Sequence, residues 1–112
     1  MTIAETSKKY GLTADTLRYY ERIGLIPPVP RTKGGVRNYD DASCGWIELV
    51  RCMRSAGVQI EALIEYGALC RQGEGTEERR KEILLEQRAL LLGRMEKMQR
   101  SLDRLDYKIA NY

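Results

Sequence analysis

The apolar positions towards the end of the chain recur with alternating spacings of four and three. Leu84, Leu91, Met98, Leu105 and Tyr112 fall every seven residues, and Met95, Leu102 and Ile109 interleave with them. This heptad predicts one helix from about Thr76 onward, with a coiled-coil seam along one side. A helix of about 36 residues extends roughly 54 Å, more than a small body can cover. An uncovered apolar seam is unfavourable in water, so the expected partner is a second copy of the chain, held through Leu84 to Tyr112. The seam weakens where Arg88 takes a core position and Gly93 lowers helix propensity. Ile83, Leu85 and Leu92 broaden the stripe there, and that part is expected to pack against the rest of the chain.

Upstream the periodicity is shorter and punctuated. Ile3, Thr6, Ser7 and Tyr10 share a helical face, and Gly11 is suited to the left-handed conformation that ends a helix. Thr13 is an N-cap for a second helix, Asp15 suits its first turn, and Gly24 with Pro27 stops it. Leu17, Tyr20 and Gly24 fall on one side of this helix, and Asp15, Arg18, Tyr19 and Arg22 on the other. Helix, tight turn at Gly11–Leu12, helix is the helix-turn-helix arrangement. Pro27, Pro28 and Pro30 then hold the chain extended, and Gly34-Gly35 predicts a hairpin turn, so residues 27–40 read as a small β-ribbon, a wing.

Asp40 or Asp41 caps a third helix to about Ala56, with Trp46, Val50, Met53 and Gly57 on its core face. A fourth, from about Ile60 to Arg71, offers Leu63, Ile64, Gly67 and Cys70 before the break at Gln72-Gly73-Glu74-Gly75. The chain therefore reads as mostly α, with a winged helix-turn-helix body over residues 1–75 and a dimerisation helix over residues 76–112.

Composition narrows the functions available. No apolar run approaches the roughly 20 residues of a membrane span, and the first residues lack a signal-peptide core, so a cytoplasmic protein with no membrane partner is expected. The chain has no histidine, and Cys44, Cys52 and Cys70 show no C-x-x-C spacing. Cys/His metal sites and Cys-His dyads are thereby removed, save a three-cysteine site, and no metal or cofactor is expected. A thiol enzyme using Cys52 or Cys44 would also lack a Gly-rich phosphate loop and room for a substrate pocket. The net charge is only +3, but residues 1–40 hold seven Lys/Arg against four Asp/Glu, and the remainder balances at twelve against twelve. All the excess positive charge lies in the segment with the helix-turn-helix pattern, as a phosphate backbone would require.

The charged side of the second helix is either a solvated face or a stripe that meets DNA, and the cationic wing favours DNA. The candidate contacts are Thr13, Thr16, Arg18, Tyr19 and Arg22 from the helix, with Lys33, Arg37 and Tyr39 from the wing; Arg31 and Asn38 add charge and polar reach.

Three blocks carry a family resemblance: Thr16-Leu-Arg-Tyr-Tyr-Glu-Arg-Ile-Gly-Leu-Ile-Pro-Pro28, Gly35-Val-Arg-Asn-Tyr-Asp40 and Cys52-Met-Arg-Ser-Ala-Gly-Val58. In this order, from Ile3 to about Tyr66, the chain resembles the MerR family of bacterial transcription regulators. The resemblance implies a winged helix-turn-helix, two further helices, and a long helix forming an antiparallel coiled coil in a homodimer. It implies DNA contacts by Arg18, Tyr19, Arg37 and Tyr39. It also implies a mechanism, in which the dimer binds between promoter elements set too far apart and distorts the double-stranded DNA so that RNA polymerase can use both. Thr6 and Ser7, the Ser43-Cys44-Gly45 helix opening and Gln59 depart from the usual pattern, away from the contact face.

No cysteine stands at Thr76-Glu77-Glu78-Arg79, where metal sensors of the family generally carry one, and this disfavours metal sensing. Cys52, within Arg51-Cys52-Met53-Arg54, matches the lone cysteine of a subgroup responding to aldehydes and other thiol-reactive stress. It is the leading candidate for the sensing residue, and its plain reading is a small buried hydrophobe. A regulator of a non-covalent ligand, or a coiled-coil adaptor binding protein, are the alternatives.

Overall fold

The computed structural model describes residues 1–112 as five helices: α1 (Ile3–Tyr10), α2 (Ala14–Arg22), α3 (Asp41–Ser55), α4 (Ile60–Gln72) and α5 (Glu77–Ala110). The molecule measures 66 × 37 × 19 Å, and α5 with its 34 residues accounts for the long dimension. No helix is long and apolar enough to cross a membrane.

Local chemistry sets the helix ends. Thr2 and Glu5 close a capping box at α1, each side chain bonded to the other's backbone N–H. Gly11, at φ +66°, is the left-handed residue that lets the chain turn sharply from α1 into α2. Thr13 Oγ1 accepts from Thr16 N at 3.1 Å, and Asp40 Oδ1 accepts from Ser43 N at 2.9 Å, so α2 and α3 start where their caps predict. Gln59 caps nothing with its side chain.

The core is a single cluster in which α1 gives Tyr10, α2 Leu17, the following loop Leu25, Ile26 and Val29, and α3 Cys44, Ile47 and Val50. Val58 and Leu63 close it from the α4 side. On α3 the core face is Ser43, Ile47 and Val50, while Trp46 and Met53 are only partly buried at its edge. The expected face through Trp46 is thus rotated towards Ile47, because the buried residues follow i, i+4, i+7 from Ser43.

The wing is slighter than a β-ribbon. One antiparallel bridge joins Arg31 to Arg37, around a turn in which Gly35 takes φ +79°. Thr32 N donates to Val36 O at 2.8 Å, Gly35 N to Thr32 O at 2.9 Å and Asn38 N to Pro30 O at 2.7 Å. Three prolines before Arg31 supply no N–H, so no longer ladder can form. The start of the chain lines the wing's return leg: Tyr39 N donates to Met1 O at 2.8 Å, and the Met1 ammonium donates to Tyr39 O at 2.9 Å.

Thr76 is buried, its hydroxyl satisfied by Leu69 O and Gly73 O, and it seats the base of α5 on the end of α4. Of all α5 residues only Ile83 is buried, at 3% exposure, in a cleft lined by Met53 and Val58 and by Leu63 and Tyr66 of α4. Arg79 pairs with Glu65 of α4 at 2.7 Å, and Arg94 Nη2 donates to Ala56 O at 2.9 Å.

Candidate nucleic-acid interface

The exposed side of α2 is built as its periodicity predicts. Arg18 and Tyr19 are exposed, Arg18 pairs with Asp15 one turn back at 3.1 Å, and the Arg22 guanidinium lies 5.4 Å from the Tyr19 ring centre. Surface pairs of this kind are worth little, so both arginines are free to exchange their partner for a phosphate or a base edge. Thr13 and Thr16 stand at the N-terminal end of the helix. The Thr13 hydroxyl caps Thr16 N and also donates to Thr16 Oγ1 at 2.8 Å, so it shapes the helix start as well as facing solvent.

Lys33 is exposed at the wing tip, and Arg31 Nη1 donates to Gly35 O at 2.9 Å across the turn. Arg37 is half-buried. Its Nε donates to Glu21 Oε1 at 2.8 Å, while Glu21 Oε2 accepts from Val29 N at 3.0 Å. Burial opposes ionisation of Glu21, but the bonds from Arg37 and Val29 outweigh it and hold the carboxyl below its ordinary value. Glu21 went unremarked in the sequence because its partners lie eight and sixteen residues away. The consecutive Tyr19-Tyr20-Glu21-Arg22 gave no sign that one carboxylate spans helix, loop and wing.

Tyr39 is corrected. Expected as an exposed arm of the wing, it is 1% exposed and belongs to the core. Its backbone pairing with Met1 turns the ring inward, and its hydroxyl has no hydrogen-bond partner. Burial raises its pKa, while the charges of Arg37, Glu21, Arg18 and Arg31 all act on it. Asn38 gives part of its polar reach to the Met1 ammonium, which donates to its Oδ1 at 3.1 Å.

Along α5, Met98 is 73% exposed, and Met95, Leu102, Leu105, Ile109 and Tyr112 are exposed with it. Leu91 is half-buried. Leu84 is exposed but also lines the cleft that holds Ile83, so it serves the margin of the body as well as the start of the seam. This cleft encloses about 20 Å³, room for one water-sized sphere.

The thiols lie in three environments: Cys44 buried, Cys52 exposed and Cys70 half-buried. Cys52 sits in a shallow surface depression with Glu48, Arg51 and Ser55. The plain reading of Cys52 as a buried hydrophobe is set aside by its exposure. No three Cys, Asp or Glu side chains come together as a metal site would require.

Residues 1–68 match the family described as MerR HTH family regulatory protein. The chain is 55% identical over 92 residues to the HTH-type transcriptional regulator AdhR of Bacillus subtilis, spanning 82% of this chain and 66% of that protein. Among solved structures, a MerR family transcriptional regulator from Listeria monocytogenes superposes with a TM-score of 0.97 at 54% identity, over 100% of this chain and 85% of that one. HiNmlR, a MerR family regulator lacking the sensor domain, bound to promoter DNA, superposes with a TM-score of 0.88 at 30% identity, over 97% and 86% of the two chains.

Proposed function

The chain belongs to the MerR family, and from that premise we propose that it is a homodimeric, sequence-specific DNA-binding regulator of transcription. Residues 1–75 are the DNA-binding unit and residues 76–112 the dimerisation helix. The N-terminal end of α2 enters the major groove with Thr13 and Thr16, Arg18, Tyr19 and Arg22 line the approach, and Arg31, Lys33 and Arg37 meet the backbone. A second copy covers Leu91, Met95, Met98, Leu102, Leu105, Ile109 and Tyr112 as an antiparallel coiled coil. The dimer distorts promoter DNA so that RNA polymerase can engage it, and the protein works in the cytoplasm.

The observation that carries this reading is the exposed Arg18, Tyr19 and Arg22 side of α2, to which the wing is tied through the Arg37–Glu21 ion pair at 2.8 Å, so that recognition helix and wing form one cationic edge. The description of HiNmlR as bound to promoter DNA supports it. The test is binding to a duplex enriched by the protein from a random pool, followed by fluorescence anisotropy across a salt series. Arg18→Ala should weaken binding and, where Arg18 meets phosphate, lower the salt slope by about one. Binding indifferent to salt, or none, would leave the protein-binding adaptor as the better account.

Cys52 is the sensing thiol for an aldehyde or another electrophile, a role supported by its exposure on α3. Mass spectrometry after electrophile treatment should find the adduct on Cys52, and Cys52→Ser should abolish induction of a reporter promoter. Full induction in that variant would return the role to a non-covalent ligand.

A further inference from the structure

We propose that Glu21 is a positioning residue for DNA binding, a clamp that fixes the wing to the recognition helix and presents Arg37 to the backbone. The proposal rests on the DNA-binding reading above. An acidic residue beside a surface that meets phosphates is at first sight a defect, since it repels them. Here the carboxylate is committed on both oxygens. Oε1 takes Arg37 Nε from the wing at 2.8 Å, and Oε2 takes Val29 N from the buried loop between α2 and the wing at 3.0 Å. Only 24% of the Arg37 side chain and 16% of the Glu21 side chain is exposed, so water competes poorly for either bond.

The geometry of the pair matters as much as its charge. Glu21 engages Arg37 through Nε alone, and no protein acceptor meets the two terminal nitrogens. The guanidinium is therefore oriented by its inner edge while its outer donors stay available, which suits a fork-like grip on a phosphate. The other ties of the wing lie at its base, where Tyr39 is buried and Met1 pairs with Asn38 and Tyr39. The wing's one bridge, Arg31 to Arg37, leaves Arg37 at the end of the ladder, and Arg31 is already turned to Gly35 O. Without Glu21, the wing loses a tie to α2, and the approach at Val29 loses a bond within the core cluster.

Two roles for Glu21 predict opposite signs. If its charge merely opposes DNA, Glu21→Gln binds more tightly; if it positions Arg37, Glu21→Gln binds more weakly, because the ionic half of the clamp is gone while the amide can still accept from Val29. The experiment compares wild type, Glu21→Gln, Glu21→Ala, Arg37→Ala and the Glu21→Gln/Arg37→Ala pair on a duplex enriched by the wild-type chain from a random pool. Amide exchange at Val29 is followed in the free protein. The expected results are about a tenfold loss of affinity in Glu21→Gln, no further loss when Arg37 is already alanine, and faster Val29 exchange in Glu21→Ala. Equal or tighter binding by Glu21→Gln, or the same tenfold loss in the Arg37→Ala background, overturns the proposal. Should Glu21→Ala fail to fold, the isosteric Glu21→Gln cycle decides it. A wild-type chain that shows no salt-dependent binding to duplex DNA sinks the DNA-binding reading and this proposal together, whereas wild-type binding with Glu21→Gln unaffected sinks the clamp alone.

Discussion

Replacing Ile83 with alanine tests how α5 is attached to the body. The side chain is 3% exposed in the cleft between α4 and the loop at Val58, and no other residue of α5 is buried. Losing three buried carbons at about 0.8 kcal/mol each costs ~2.4 kcal/mol, and incomplete collapse of the cleft raises this to roughly 3–4 kcal/mol. A domain of this size has a total stability of about 5–15 kcal/mol, so the effect should be plain. Leu85, two positions on and 55% exposed, is the control, with an expected loss below about 1 kcal/mol. Urea unfolding at one fixed protein concentration, followed by circular dichroism, measures both, with an unchanged m-value and a lowered midpoint expected for Ile83→Ala. A loss below about 0.5 kcal/mol for Ile83→Ala, or one equal to that of Leu85→Ala, would refute the packing argument.

Charged residues at Met98 and Leu102 should give monomers in sedimentation, and an unaltered dimer would place the interface elsewhere. Tyr39→Phe removes a buried hydroxyl without a partner, so the unfolding free energy should rise by about 1 kcal/mol; a fall would mean that the hydroxyl is satisfied in solution. Acid should unfold the protein through Glu21 and through the carboxyls bonded to the Thr2 and Ser43 amides, Glu5 and Asp40, all held below their ordinary values of 4.5, 4.5 and 3.8. A lowered folded pKa contributes stability above the unfolded value and loses it as pH falls through the folded one, so the urea midpoint should drop below about pH 4.5. A midpoint flat to about pH 3 would contradict those bonds.

The helices were legible in the sequence because their determinants are local. Thr13 and Asp40 cap, Gly11 and Gly24 turn left-handed, and the bounds of α1 and α2 follow from those residues. What escaped depends on chain that is distant in sequence. Tyr39 beside Arg37 and Asn38 looks like an arm for DNA until Met1 pairs with it and turns it inward. Ile47 looks no more central than Trp46 until the Leu25-Ile26 loop is laid against α3. Glu21 and Arg37 are one unit only once the wing folds back on α2. The heptad gave the length of α5 directly, but of Ile83, Leu85 and Leu92, all expected against the body, only Ile83 is buried there, while Leu85 and Leu92 stay exposed because they fall on other sides of the helix.

The attachment of α5 has a mechanical side. Ile83, Arg79 with Glu65 and Arg94 with Ala56 tie the helix to the body, and all three ties fall by residue 94. From Ile83 to the end of the helix is about 40 Å of nearly straight rod. A tilt of about 10° at Ile83 swings the far end through roughly 7 Å, whereas the cleft itself shifts by a fraction of an ångström. The helix is thus a lever with its fulcrum near one end, and Arg94, bonded to the C-terminal cap of the helix that carries Cys52, stands about 16 Å out along the long arm, so a displacement there is more than doubled at the tip.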